Sequence, residues 1–160
     1  MNAVVVYDSQ YGNTERIARA IADELGGFGE VRAIFVHQAR LDGLRSVDLF
    51  VIGCPTQGWR PTPAIPSLLE GISSEELHGP AFACFDTRFK LPRWMTGSSA
   101  TVIAEKLQER GAQLLVPPES FFVKGMEGPL RTGELERASR WGRMLLKVVE
   151  TPRRAAQRQS

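Results

Sequence analysis

The sequence is poor in cysteine and histidine and has no long apolar run. Its two cysteines, Cys54 and Cys84, are too few for a disulfide framework, which favours a reduced, cytoplasmic environment. The two histidines, His37 and His78, have no cysteine or carboxylate at ligand spacing, so the sequence supports no metal site. No apolar run approaches the roughly 18 residues of a membrane span. We therefore expect a soluble cytoplasmic protein.

The chain also lacks a strong charge of either sign. Its formal net charge is +2, and the last ten residues contribute Arg153, Arg154 and Arg158 but no acid. Without these three, 17 basic residues face 18 acidic ones, which offers no broad basic face to nucleic acid. The first residues lead straight into an apolar strand pattern, without the features of a signal peptide. We expect one domain over residues 1–150 and a basic, flexible tail over 151–160.

Strand-length apolar runs alternate with helical patterns along the whole chain. This alternation is typical of βαβ units, and it predicts an α/β fold with a parallel sheet covered on both faces. The expected strands are 3–8, 31–36, 48–54, 80–85 and a fifth in two pieces, 113–116 and 121–124, split by Pro117-Pro118. The expected helices are 14–25, 67–72, 98–111 and 133–149.

A short polar loop follows the first strand. Ligands of such sheets bind beyond the carboxyl ends of the strands, where the strand order reverses. Backbone N–H groups and hydroxyls of this loop can converge on one anion at the start of a helix. The loop has no lysine or arginine and matches neither GxxxxGK nor GxGxxG, so we expect a phosphate held by dipoles. Alternatively, the loop only turns the chain and caps the helix. Its residues are Ser9, Gln10, Tyr11, Gly12, Asn13 and Thr14.

The stretch from Tyr7 to Glu15, YDSQYGNTE, closely resembles the phosphate-binding loop of flavodoxins. The resemblance extends over nearly the whole chain. It implies a flavodoxin-like three-layer sandwich, a five-stranded parallel sheet in the order 2-1-3-4-5, and FMN as the cofactor of residues 1–150. One departure is Tyr11, where many flavodoxins have a threonine whose hydroxyl binds phosphate. A tyrosine there leaves only the backbone bond intact.

The resemblance implies that a second loop flanks the flavin ring. Trp59 can stack on the ring, and the Gly58 peptide can reorient so that its carbonyl accepts the proton of flavin N5. Alternatively, Trp59 only packs against neighbouring prolines. The implied cofactor-binding residues of this loop are Pro55, Thr56, Gln57, Gly58 and Trp59.

A third loop, residues 86–97, is expected on the other side of the ring. Flavodoxins commonly place a tyrosine there, and this chain has Phe89 or Trp94 as substitutes. Thr87 can hydrogen-bond the flavin pyrimidine. The implied cofactor-binding residues are Asp86, Thr87, Arg88, Phe89 and Trp94.

The second and third loops are also rich in cations, with Asp86 as their one acid. Flavodoxins are typically acidic around the flavin, so a basic rim would make the second reduction potential less negative by Coulomb attraction. If these side chains instead point into solvent, screening leaves little effect. The cations are Arg60, Arg88, Lys90 and Arg93.

The resemblance implies a flavoprotein that transfers electrons between redox protein partners, a reductase and an acceptor, as a monomer or weak dimer. An electron carrier is favoured over a stand-alone oxidoreductase, and no side chain is expected to be catalytic. Two alternatives remain: an NAD(P)H-dependent FMN quinone or flavin reductase, and a binding module of the same fold without redox activity. A phosphorylated receiver is rejected because Cys54 and Pro55, not an aspartate, follow the third strand.

Overall fold

The computed structural model describes residues 1–159, except the side chains of residues 152–157. Its strands are β1 (Asn2–Tyr7), β2 (Glu30–Phe35), β3 (Leu49–Gln57), β4 (Arg60–Pro61), β5 (Ala81–Phe89), β6 (Gln113–Leu114) and β7 (Glu119–Val123). Its α-helices are α1 (Asn13–Gly26), α2 (Ala64–Glu70), α3 (Ser74–Leu77), α4 (Arg93–Thr96), α5 (Ser99–Glu109) and α6 (Glu134–Gln159). Short 3-10 turns lie at Val36–Gln38 and Leu44–Ser46. No helix within the described residues is long and apolar enough to cross a membrane.

The strands form one sheet in the order β2-β1-β3-β5, and β6 and β7 share the position beyond β5. β6 pairs with the start of β5 at Ala81 and Phe82, whereas β7 pairs with its end, from Phe85 to Phe89. All of these pairs are parallel. The predicted order 2-1-3-4-5 is therefore confirmed, with the fifth strand in two pieces on either side of Pro117-Pro118.

Alternate strand residues fill two separate cores, one on each face of the sheet. Val5 and Val51 belong to the core beneath α1 and α6, together with Ile17 and Ile21. Val6 and Ile52 belong to the opposite core, beneath α2 and α5. The predicted three-layer α/β sandwich is thus confirmed.

The sequence-based end of the fourth strand at Phe85 is wrong, because β5 continues to Phe89. The sequence-based prediction instead places residues 86–97 in a loop. In the structure Asp86 and Thr87 pair with Cys54 and Pro55 of β3, and the whole segment pairs with β7. Four of the predicted site residues are therefore held by a sheet.

Two helix boundaries also differ from the prediction. α2 begins at Ala64 rather than at residue 67, because Pro66 falls within the first turn, where no backbone N–H is needed. α6 runs on to Gln159 instead of ending at Val149. The side chains of residues 152–157 and all of Ser160 lie outside the described residues, so the flexible tail stays a prediction. The short elements β4, α3 and α4 were not predicted.

We predict that Gly53→Ala destabilises the protein, because an added Cβ would overlap the Phe85 ring in the packed core. Overpacking of this kind costs roughly 1–3 kcal/mol of unfolding free energy. The measurement is urea unfolding followed by far-UV circular dichroism. Gly26→Ala at the end of α1 is the control, because its Cβ would meet no atom within 4 Å. Equal unfolding free energies for the two variants would contradict the predicted overlap.

Candidate functional site

A cleft of about 480 Å³ lies where β1, β3 and β5 end. This volume is within the usual range for a small-molecule site. Four chain segments contribute to its walls, and three of them are the predicted loops. The lining residues are Ser9, Gln10, Tyr11, Asn13, Thr14, Pro55, Thr56, Gln57, Gly58, Trp59, Thr87, Arg88, Phe89, Leu91, Met95, Thr96, Val123 and Met126.

The loop before α1 directs two backbone N–H groups at one oxygen atom. Ser9 Oγ accepts hydrogen bonds from the N–H of Gly12, at 3.1 Å, and from that of Glu15, at 3.3 Å. Gly12 is left-handed, with φ 89°, a conformation that glycine adopts without strain. The convergence lies at the N-terminus of a 14-residue helix, whose dipole favours an anion. This arrangement suits a phosphate group.

Side chains fasten this loop to its neighbours on both sides. The hydroxyls of Thr14 and Thr87 are 2.8 Å apart and buried, so the start of α1 is tied to the end of β5. Asn13 Nδ2 donates to the carbonyl of Glu127, at 3.2 Å. Gln57 Nε2 donates to Gln10 Oε1 and so connects the loop to the end of β3.

A tight hairpin between β3 and β4 forms the second wall. Gln57 pairs with Arg60, so the turn consists of Gly58 and Trp59. Both have positive φ, 53° and 74°, which is the type I′ turn that fits the twist of a hairpin. A left-handed residue other than glycine costs roughly 1–2 kcal/mol. The turn nevertheless holds Trp59, 54% exposed, in the cleft lining.

The third wall is organised by Arg88, which is buried although it lines the cleft. Its Nε donates to Ser120 Oγ at 3.0 Å. Its Nη1 donates to the carbonyl of Leu91 at 2.7 Å and to Thr96 Oγ1 at 3.1 Å. The segment after β5 is thus folded back onto the guanidinium, and its apolar side chains line the cleft: Phe89, Leu91 and Met95.

The structure brings most of the predicted site residues together, and three of the sixteen do not line the cleft: Gly12, Asp86 and Trp94. Gly12 still contributes its backbone to the first loop. Asp86 is fully buried, and its Oδ2 accepts hydrogen bonds from the Ser98 hydroxyl and the Ala100 N–H. Trp94 is 73% exposed outside the cleft. The ligand contacts of all sixteen residues stay predictions.

Sequence reasoning missed five lining residues: Leu91, Met95, Thr96, Val123 and Met126. Val123 ends β7, so the rule that ligands bind beyond strand ends could have identified it. Leu91 and Met95 lie in the predicted third loop, where the resemblance to flavodoxins implied an aromatic side chain instead.

The expected basic rim needs a correction, because its four cations differ in environment. Arg60, Lys90 and Arg93 are exposed to solvent. Arg88 is enclosed, and burial lowers the pKa of its guanidinium, an effect partly offset by the negative charge of Asp86. The cleft therefore has one enclosed positive charge in its wall, and the other three positive charges are screened by solvent.

Both cysteines are buried core residues. Burial raises the pKa of Cys54 to about 12, with a further contribution from the negative charge of Asp86. Burial also raises the pKa of Cys84. Protonated thiols are poor nucleophiles, which agrees with a structural role. Within residues 1–159, no cluster of histidine, cysteine and carboxylate side chains could hold a metal ion.

We predict that Cys54 makes unfolding depend on pH in alkaline solution. Its thiol ionises near pH 9 when exposed but near pH 12 when folded, so the unfolded state binds fewer protons between these values. The stabilisation is complete below pH 9 and is lost as the pH rises toward 12, by up to about 1.4 kcal/mol per pH unit. Cys54→Ala should flatten this slope in urea unfolding between pH 9 and 10.5. Identical slopes for both proteins would contradict the prediction, since tyrosines and lysines contribute equally to both.

Comparison with known proteins gives two partial curated matches and several structural matches over most of the chain. A flavodoxin from Synechocystis sp. (strain ATCC 27184 / PCC 6803 / Kazusa) is 44% identical over 50 residues, which are 31% of this chain and 29% of that protein. The chain therefore matches less than a third of this relative's length. A flavodoxin from the domain Archaea has a TM-score of 0.78 and 22% identity, covering 94% of this chain and 99% of that one.

The same fold also occurs within longer chains. The flavodiiron protein from Giardia intestinalis has a TM-score of 0.72 at 20% identity, covering 92% of this chain but 36% of that one. These structural likenesses show the fold. The flavodoxin family model matches residues 5–141, most of the chain and all three walls of the cleft. The chain therefore belongs to the flavodoxin family, whose members bind FMN.

Proposed function

We propose that this chain carries electrons through bound FMN between two redox proteins. The observation that carries the proposal is the position of its exposed apolar side chains. Among the described residues, nine large hydrophobic side chains are exposed, and seven of them lie on the four chain segments that contribute to the cleft. Such concentration marks a binding surface. The seven are Tyr11, Trp59, Phe89, Leu91, Trp94, Met95 and Met126; the other two are Phe28 and Met144.

The residues present fit FMN. The loop from Ser9 to Thr14 would hold the phosphate, because its N–H groups already converge on one oxygen atom. Trp59 and the apolar side chains after β5 would flank the ring. Bound FMN supplies the one- and two-electron chemistry, and the protein supplies position, electrostatics and exclusion of water.

Gly58 is placed to respond to the protonation of the ring. Its φ is 53°, and a Cβ added there would meet nothing within 4 Å, so there is open space beside its Cα. In the proposed complex its carbonyl accepts a hydrogen bond from a protonated ring nitrogen. The Asn13, Gln57 and Thr87 bonds keep the rest of the cleft fixed while this peptide turns.

We predict that Ser9→Ala weakens FMN binding and leaves riboflavin binding nearly unchanged. The hydroxyl organises the N–H groups that bind the phosphate, and riboflavin has no phosphate. Hydrogen bonds to charged groups contribute about 1.5–3 kcal/mol, or roughly 10-fold to 100-fold in affinity. Fluorescence titration of the apoprotein measures both ligands. Ser46→Ala, an exposed serine outside the cleft, is the control. Equal losses of affinity for FMN and riboflavin would place the phosphate elsewhere.

We predict that the FMN-loaded protein accepts electrons from a protein donor but does not oxidise NAD(P)H alone. NADPH with a separate flavoprotein reductase should reduce it in a stopped-flow measurement of flavin absorbance. Measured on FMN-saturated protein, Trp94→Ala should slow this second-order reaction about tenfold, as expected of an aromatic interface residue. Phe28→Ala is the matched control, since Phe28 is 62% exposed but outside the cleft.

Two outcomes would contradict the proposal that the protein is an electron carrier. Steady NADPH oxidation without a partner would favour the quinone or flavin reductase. A colourless protein that ignores added FMN would favour a binding module without redox activity. Equal rates for the Trp94 and Phe28 variants would place the docking surface elsewhere.

A further inference from the structure

Arg88 puts a full positive charge into the wall of the cleft. The residue is 8% exposed, yet it is part of the cleft lining. Its guanidinium is fixed by the bonds to Ser120, Leu91 and Thr96, and its Cζ lies 5.2 Å from the centroid of the Phe122 ring. Arginine stays protonated at every working pH. The charge is therefore permanent and held in one place.

These bonds engage Nε and Nη1, and no described residue accepts a hydrogen bond from Nη2. Among the described residues, the enclosed side-chain N and O atoms without a partner are Thr62 Oγ1 and Asp86 Oδ1. Nη2 has no partner and is not one of these two atoms, so it is accessible to solvent. Arg88 lines the cleft, and Nη2 keeps donors that no described residue uses.

Asp86, the negatively charged partner of Arg88, directs one of its two carboxylate oxygens at other groups. Asp86 is 0% exposed, and its Oδ2 is taken by the Ser98 hydroxyl at 2.6 Å and the Ala100 N–H at 3.1 Å. Its Oδ1 makes no hydrogen bond and lies 4.0 Å from Arg88 Nε, which is longer than a hydrogen bond. The pair stabilises the buried arginine while Nη2 keeps its donors for a ligand.

We infer that Arg88 determines the reduction potential of the flavin by binding its anionic reduced form more tightly than its oxidised form. This inference rests on FMN occupying the cleft as proposed above. In the two-electron reduction, the ring takes two electrons from the redox partner and one proton from water, and it keeps one additional negative charge. Nη2 donates to an acceptor of the ring system, and the fixed cation attracts the charge that the ring gains.

The three exposed cations cannot act in this way. Arg60, Lys90 and Arg93 lie in water, where their effect is screened and falls with ionic strength. A charge enclosed in the wall is screened much less. Arg88 therefore makes the reduction potential less negative, and largely independent of salt.

The test compares Arg88→Gln with Arg93→Gln in the FMN-loaded protein. We expect Arg88→Gln to weaken binding of reduced FMN about tenfold more than binding of oxidised FMN. This tenfold difference corresponds to a two-electron midpoint potential that is about 30 mV lower. Arg88→Lys should recover part of the shift, because it restores the charge without the fork. Arg93→Gln, an exposed cation from the same segment, should leave the midpoint unchanged. Spectroelectrochemical titration and FMN binding to each apoprotein give the values.

Ser120→Ala removes a partner of Arg88 but keeps the charge, so its midpoint should stay near that of the unaltered protein. Equal shifts of the midpoint potential in the Arg88 and Arg93 variants would overturn the inferred role of Arg88. So would an FMN-bound Arg88→Gln protein with an unchanged midpoint potential, and in neither case would the proposed carrier be affected. If Arg88→Gln does not fold, the unaltered protein decides the question. A midpoint that falls steadily from 50 mM to 500 mM salt would assign the effect to exposed cations instead. Failure of the unaltered protein to bind FMN would overturn the proposed carrier as well.

Discussion

The buried carboxylate of Asp86 is the constraint on which the cleft depends. Enclosing an unpaired charge costs several kcal/mol, so the chain around it must supply partners. Ser98, which caps the start of α5, supplies a hydroxyl, and Ala100 in the first turn of this helix supplies an N–H. Arg88 supplies the opposite charge two residues along the same strand. Because strand residues alternate between faces, Thr87 points the other way and meets Thr14 of the phosphate loop. One strand end therefore fixes both the phosphate loop and the opposite wall.

The hairpin that carries Trp59 depends on close backbone packing. It places a tryptophan in the left-handed region, which needs compensation from its surroundings. One neighbour is Gly97, where an added Cβ would lie 2.8 Å from Trp59 Cα, so the two backbones are in close contact. Gly97 follows directly on Thr96, whose hydroxyl is bonded to Arg88. The position of Trp59 is thus coupled to the guanidinium through a chain of contacts across the cleft mouth.

The features predicted correctly from the sequence are those that depend on local patterns. The alternation of apolar runs gave the sheet and its order, and the small, hydroxylated residues after β1 indicated the first loop. The continuation of β5 through Asp86 and Arg88 was missed, because their charges are satisfied by Ser98 and Ser120, which are distant in sequence. The sequence also did not indicate that Met95 lines the cleft whereas Trp94 lies outside it, and the ligand contact of Trp94 stays a prediction. Which side chain faces the cleft is set by the short helix α4, whose orientation comes from the fold.

In the proposed FMN complex, different parts of the cleft would determine the affinity for FMN and its reduction potential. A cation beside the phosphate would stabilise oxidised and reduced FMN alike, since the phosphate charge does not change on reduction. Such uniform binding raises affinity without changing the potential. The loop from Ser9 to Thr14 has no lysine or arginine, so in the proposed complex it would bind the phosphate through backbone dipoles. Within the residues whose side chains are described, Arg88 is the one cation that is buried. In the proposed FMN complex, this cation would act on the ring, whose charge changes on reduction, rather than on the phosphate.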